Sequence, residues 1–320
     1  MRALVTGAAG FVGANLSGHL LREGHEVHVV QHPDGDCWRI AEMGESIAHR
    51  ADLLLPGTAH ALVAEIDPDW IFHLAAYGAY SWQTDAMRIC ATNLSATIEL
   101  ADAAECHGVS AFVHAGSSSE YGFKDHAPSE DERLEPNSAY AVAKAAATMY
   151  CRHRAREGRL PAVTLRLYSV YGALEDERRL VSTLLREGRQ RRFPPLVSPE
   201  TARDFVYAED VCIAFVRAAA QASEVAGEIY NVGSGRQTTL RELVERVREL
   251  LGIPEQPHWD TYPARAWDSD CWSANVERIS SDLGWLAATG LDDGLDLMRR
   301  LTEARLARCS YGPEGRVTGR

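Results

Sequence analysis

A chain of 320 residues, 46% hydrophobic and 24% charged, can bury one large core or two smaller ones. Its formal net charge of -12 argues against a general affinity for nucleic acid or anionic membrane, so an anionic ligand needs a local positive site. Seven scattered cysteines with no C-x-x-C pair suggest reduced thiols, as in a cytosol, rather than a disulfide frame or a zinc site, and no metal is expected.

"ALVTG" (3–7) is a short buried strand, and "FVGANLSGHLLREG" (11–24) has apolar residues at helical spacing and stops at Gly24. The opening "MRALVTGAAG" has no apolar leader or cleavage site, and no apolar run approaches the ~20 residues of a membrane helix, which together point to a cytoplasmic protein. "EVHVV" (26–30), "WIFHLAA" (70–76), "AFVHAG" (111–116) and "AVTLRLYS" (162–169) are further apolar strands, with helices predicted near 86–107 and 137–157. The alternation reads as βαβ units: an α/β fold with a doubly wound parallel sheet, its strands apolar on both faces. Beyond residue 170 the loop "GRQRRFPPLVSPETARDF" (188–205) alternates with helices near 208–221 and 239–251, and the strand "EIYNVG" (228–233) returns to the sheet. The expected division is 1–172 for dinucleotide binding, joined by about 203–233, and 173–320 mainly as a smaller α/β substrate domain, with the cleft between them.

"TGAAGFVG" sets Gly7, Gly10 and Gly13 between a strand and a helix. Gly7 permits a tight turn, Gly10 lets backbone approach a pyrophosphate, and Gly13 allows close helix–strand packing. The helix N-terminus, with Phe11 and Val12, then offers its N–H groups to the phosphates. The G-x-x-G-x-x-G spacing resembles the short-chain dehydrogenase/reductase superfamily. Where the second strand ends, an acidic residue would bind the adenosine ribose and repel a 2′-phosphate. Gln31 stands there, with Arg39 downstream, so NADP is favoured over NAD, although Asp34 or Asp36 remains within reach of the ribose. Asp52, next to Leu53, is either an adenine acceptor or a loop cap.

"YAVAK" puts Tyr140 and Lys144 on one helical face. An ammonium beside a phenol favours the phenolate, which predicts a lowered Tyr140 pKa and proton exchange near neutral pH. With "GSSSEYG" (116–122) upstream, nearly the whole chain resembles the extended branch of that superfamily: Rossmann-fold, NAD(P)-dependent nucleotide-sugar epimerases, dehydratases and reductases. The resemblance implies a triad of Ser117, Tyr140 and Lys144. It also places Leu74, Ala75 and Ala76 of "HLAA" along the nicotinamide and Asn93 near the active site. Arg203 of "RDFVYAEDV" and Arg265 of "YPARAWDSD" would meet the substrate diphosphate. In "RLYSVYG" (166–172) the usual asparagine is Ser169, and the usual proline that follows is Ala173. The resemblance further implies a homodimer through the helices near 93–107 and 137–157.

Relatives that remove water from a 4-keto sugar carry Asp and Glu directly after the catalytic hydroxyl residue. Ser118 and Ser119 stand there, and an unactivated hydroxyl is a poor base. Strand alternation predicts that Glu120 points away from the substrate. Hydride exchange at C4 of a nucleotide-activated hexose remains. A 4-keto sugar reductase is placed ahead of an NAD-bound 4-epimerase, and a nucleotide sensor is the reading outside catalysis. Tyr77, Tyr80 and Trp82 in "AAYGAYSWQTD" are candidates to face the sugar. Lys124 and His126 are weaker candidates, Arg191 and Arg192 read as a solvated run, and "FPPLV" (193–197) as a neighbour of the nucleobase.

Overall fold

Side-chain alternation along the strands divides the interior. In β1 (Arg2–Thr6), Ala3 and Val5 pack on one face of the sheet and Leu4 on the other. In β4 (Trp70–His73), Trp70 and Phe72 oppose Ile71. In β5 (Ala111–Ser117), Val113 and Ala115 oppose Phe112. A strand apolar on both faces must be covered twice, and helices supply both covers. The computed structural model describes residues 1–41, 43–263 and 271–310.

The other elements of the first half are α1 (Phe11–Arg22), β2 (Glu26–Gln31), α2 (Trp38–Ala41), β3 (Ile47–Arg50), α3 (Thr58–Ile66), α4 (Ala86–Cys90) and α5 (Ala96–His107). Then come α6 (Ala139–Arg156), β6 (Ala162–Leu167), β7 (Ser169–Tyr171), α7 (Leu180–Arg189), β8 (Ala202–Arg203), β9 (Phe205–Tyr207) and α8 (Ala208–Ala220). The chain closes with β10 (Ile229–Val232), β11 (Thr238–Thr239), α9 (Leu240–Leu251), α10 (Glu277–Leu283) and α11 (Leu291–Ser310).

Seven parallel strands run in the order β10-β6-β5-β4-β1-β2-β3. The winding direction reverses between β1 and β4, and a crevice opens beyond the carboxyl ends at such a switch point. One core holds α1 and α8 against the sheet through Leu16, Leu20 and Phe215; the opposite one holds α3, α5 and α6 through Leu62, Leu100 and Cys151. A third cluster, including Leu184, Leu243, Val247 and Leu295, joins α7, α9 and α11 beside the sheet.

The helix predicted over 86–107 is interrupted. Ala91–Ser95 forms a π-turn between α4 and α5, with Asn93 buried inside it. Strand β3 had no sequence signal, because most of its side chains are exposed and it pairs only at the sheet edge. No helix among the described residues is long and apolar enough to cross a membrane.

Candidate active site

At the switch point, Gly7 turns with φ +69°, and a side chain there would strike Leu74 and Ala75 backbone at 2.5 and 2.6 Å. Gly13 sits against Gly7 backbone with no room for a Cβ. Helix α1 starts at Gly10 without a side-chain cap, so the N–H groups of its first turn have no side chain to bind. This uncapped turn, with glycine at 7, 10 and 13, fits a dinucleotide pyrophosphate.

At the end of β2, Gln31 is buried and its Nε2 has no partner. Arg39 was expected to select a 2′-phosphate. Instead its Nε donates to Leu174 O (2.8 Å) and its Nη1 to Ala9 O (3.1 Å), stapling the glycine loop to the segment after β7. Asp52 Oδ1 accepts Leu54 N–H (2.9 Å), the loop-cap alternative, and Leu53 packs on the α3 side of the core.

A polar thread fixes the segment after β4. Thr6 Oγ1 bonds His73 Nδ1 (2.7 Å), His73 Nε2 bonds Thr97 Oγ1 (2.9 Å), and Thr97 donates to Asn93 O (2.8 Å). Asn93 then accepts from Tyr77 N–H (3.1 Å) and donates to Tyr77 O (2.6 Å) and Ile89 O (3.0 Å). Its amide therefore holds backbone; the expected cofactor contact is replaced by a supporting one. Burial and the Lys144 charge push His73 down to about 3, so the thread is uncharged near neutral pH. Gly78, at φ +103°, passes so close to Tyr140 that a Cβ would lie 3.3 Å from the ring.

Strand β5 delivers Ser117, and α6, capped by Ser138, delivers Tyr140 and Lys144. Burial raises the Tyr140 phenol above its ordinary value, and outweighs the pull of Ser117 toward the ionised form. The charges acting on it belong to Glu120 and Arg179. The expected lowering by Lys144 is thus not found. Lys144 is itself buried, is pulled down to about 8 by desolvation, and lies 3.5 Å from His114 Nε2.

Ser118–Tyr121 is a 3₁₀ turn, so the side-chain directions there are set by the turn rather than by strand alternation. Glu120 does point inward, away from the cleft: its Oε2 accepts Arg166 Nε (2.8 Å), and both residues are fully buried.

A cavity of about 810 Å³ opens between the strand ends and the α7–α9 cluster. Tyr80, Trp82, Ser169, Arg178, Arg179 and Arg203 line it, together with 192–197. Tyr80 and Trp82 stack at 4.5 Å, and Arg178 covers Trp82 while its carboxylate partner Asp176 accepts from Tyr80. Arg203 lies over Trp272 and donates to Ala202 O. Tyr77 is not in the lining; its ring packs on Arg88. Arg192 lines the cavity and pairs with Glu187 while its side chain stays largely solvated. Lys124 is held by Glu135, and His126 by Asp125 and Glu132, at the surface. Arg265 lies outside the described residues. Arg179, which lines the cavity and acts on Tyr140, was missed; its only signal was the run "EDERRL" following the "SVYG" strand.

The chain is 32% identical over 307 residues to UDP-glucose 4-epimerase of Mycolicibacterium smegmatis, covering 92% of this chain and 96% of that one. Its fold is similar to the UDP-glucose 4-epimerase of Thermotoga maritima, solved with UDP-glucose (TM-score 0.86, 25% identity, 96% of this chain and 100% of that one). It is also similar to the UDP-glucuronic acid 4-epimerase of Bacillus cereus, solved with UDP-glucuronic acid and NAD (TM-score 0.85, 25% identity, 95% and 100%). The model of the NAD dependent epimerase/dehydratase family matches residues 3–233. This chain belongs to the NAD dependent epimerase/dehydratase family of nucleotide-sugar enzymes.

Proposed function

We propose that the protein is a 4-epimerase of a UDP-activated hexose, working with NAD. The observation that carries this reading is the exit of β5. Ser117 stands there, the next two residues are serines, and the nearby carboxylate of Glu120 is locked by Arg166. Proton exchange at one sugar oxygen is provided for, whereas no acid–base pair stands ready to eliminate water at C5–C6.

Bound NAD would accept a hydride from C4 and return it. Tyr140 takes the proton from the C4 hydroxyl and later gives it back. Ser117 donates to the same oxygen and holds it in line. Lys144, buried beneath them, supplies positive charge and a donor for a ribose hydroxyl. Arg203 and the cavity arginines face the diphosphate, since guanidinium matches phosphate oxygens in a fork geometry. Tyr80 and Trp82 offer apolar faces to the sugar. The helices α4 and α6 expose Met87, Val142 and Met149; we take this face as the contact of a homodimer, which sedimentation of the purified protein tests.

The unpartnered donor of Gln31 favours a second reading, a 4-keto sugar reductase using NADP(H). One experiment separates the two. The purified protein is denatured and the released dinucleotide identified; the native protein is then given UDP-hexoses, and 4-keto sugars with NADPH or NADH. Tightly held NAD and C4 interconversion without net cofactor consumption are expected. Stoichiometric loss of NADPH would replace the epimerase with the reductase.

A further inference from the structure

The one carboxylate of "GSSSEYG" is left without a task by the reaction above, and its surroundings suggest one. Glu120 is fully buried. Its Oε1 accepts the backbone N–H of Ser117 (2.8 Å) and the hydroxyl of Thr148 on α6 (3.0 Å). Its Oε2 accepts Arg166 Nε on β6 (2.8 Å), while Arg166 Nη1 donates to Tyr121 OH (2.8 Å) and Glu130 O (3.1 Å). Two elements, α6 through Thr148 and β6 through Arg166, therefore fix the carboxylate that fixes Ser117.

The other arm of this capping box acts on the serine side chain. Ser119 N–H donates to Ser117 Oγ (3.2 Å), and Ser119 Oγ lies 2.8 Å from it. A hydroxyl has one proton and two acceptor lone pairs. Ser119 N–H occupies one lone pair; with Ser119 O–H as the donor of the 2.8 Å bond the second is filled as well, and the Ser117 proton is then free to donate elsewhere.

We propose that Glu120, clamped by Arg166 and Thr148, is a positioning residue that closes a capping box around Ser117 and thereby makes its hydroxyl a dedicated donor to the reacting oxygen. The proposal rests on the reading of Ser117 as that donor. Ser119 is the second arm of the same device. A buried ion pair that only joined β5 to β6 would serve stability and leave Ser117 untouched.

Removing Glu120 alone strands a buried guanidinium, so the pair is removed together as E120L/R166M; such apolar replacements are often tolerated. The NAD-loaded protein is titrated alkaline, and the Tyr140 phenolate is followed by near-ultraviolet difference absorbance against Y140F. Turnover of UDP-glucose is measured in parallel. S117A is expected to move the Tyr140 titration upward, E120L/R166M to move it by a similar amount, and the two together to add nothing. The double variant is expected to lower kcat about 10- to 100-fold with KM held within about threefold.

E120L/R166M titrating and turning over like the wild type, while S117A is shifted, would overturn this proposal alone. S117A without a shift would sink the reading of Ser117 and this proposal with it. If the double variant does not fold, E120Q decides: a smaller upward shift and a lower kcat at constant KM support the proposal, and wild-type behaviour in both overturns it.

Discussion

The exit of β5 and the arginine wall of the cavity treat charge in opposite ways. At the β5 exit, Glu120, Arg166 and Lys144 are all buried, and each is held by named partners at fixed distances. On the wall, Arg178, Arg186 and Arg192 pair with Asp176 and Glu187 while staying 64%, 44% and 58% exposed. A buried ion is costly to move or leave alone, whereas an exposed pair is worth little and exchanges readily. The first arrangement suits a reaction whose atoms must not drift. The second suits a wall that trades a carboxylate partner for a phosphate when substrate enters.

The contrast can be broken or sharpened by four substitutions. Y140F is expected to lower turnover by about 10³-fold while substrate KM and NAD retention change little; near-normal kcat would remove the β5 exit from the chemistry. K144M should abolish turnover yet melt higher, by up to about 3 kcal/mol of stability at pH 7. Lys144 has a folded value of about 8 against an ordinary 10.5. Between those values the unfolded chain holds the extra proton, so wild-type stability from this site rises with pH from about 8 to 10.5. The advantage of K144M should therefore shrink across that window, and thermal melts at several pH values would reveal a constant gap if the burial argument is wrong.

On the wall, R203A should raise KM for the nucleotide sugar about tenfold or more, as expected for lost charge-assisted hydrogen bonds, without weakening NAD. Equal loss of both ligands, read by calorimetry, would make Arg203 a structural residue. W82A should be mildest, a KM change of about threefold or less, because an exposed cation–π contact contributes about 0.5–1 kcal/mol. A tenfold effect would mean that Trp82 holds substrate as firmly as the arginines.

The parts legible in the sequence were those set by local pattern. β1, β2, β5, β6 and β10 fall within a residue or two of their apolar runs, β4 starts on its run and ends three residues before that run does, and the glycine turn lies where Gly7, Gly10 and Gly13 place it. The strand β3 was invisible because an exposed edge strand carries little hydrophobic signal. In the site, Ser117 ends β5, and Tyr140 and Lys144 lie one turn apart on α6, where the motifs suggested strand end and helix. The misreadings share one cause: partners far away in sequence. Arg39 is claimed by Leu174, 135 positions on, and Tyr77 by Asn93 and Arg88. The Tyr140 titration was misjudged because burial, which no spacing reveals, outweighs the charges around it.

The π-turn at Ala91–Ser95 has a consequence for how this region can evolve. Such a turn holds one residue more than the helix around it needs. Deleting any one residue there would let the helix close into a regular α-helix, a change the backbone itself would welcome. The flanking helices would keep nearly their present phase, but Asn93 at the centre of the turn would be re-aimed by roughly 100°, the arc of a single helical residue. Re-aimed, Asn93 would give up its hold on the Tyr77 backbone. A single-residue deletion that improves the helix would thus dismantle the loop pressed against Tyr140, so this irregularity is protected by the reaction rather than by the fold.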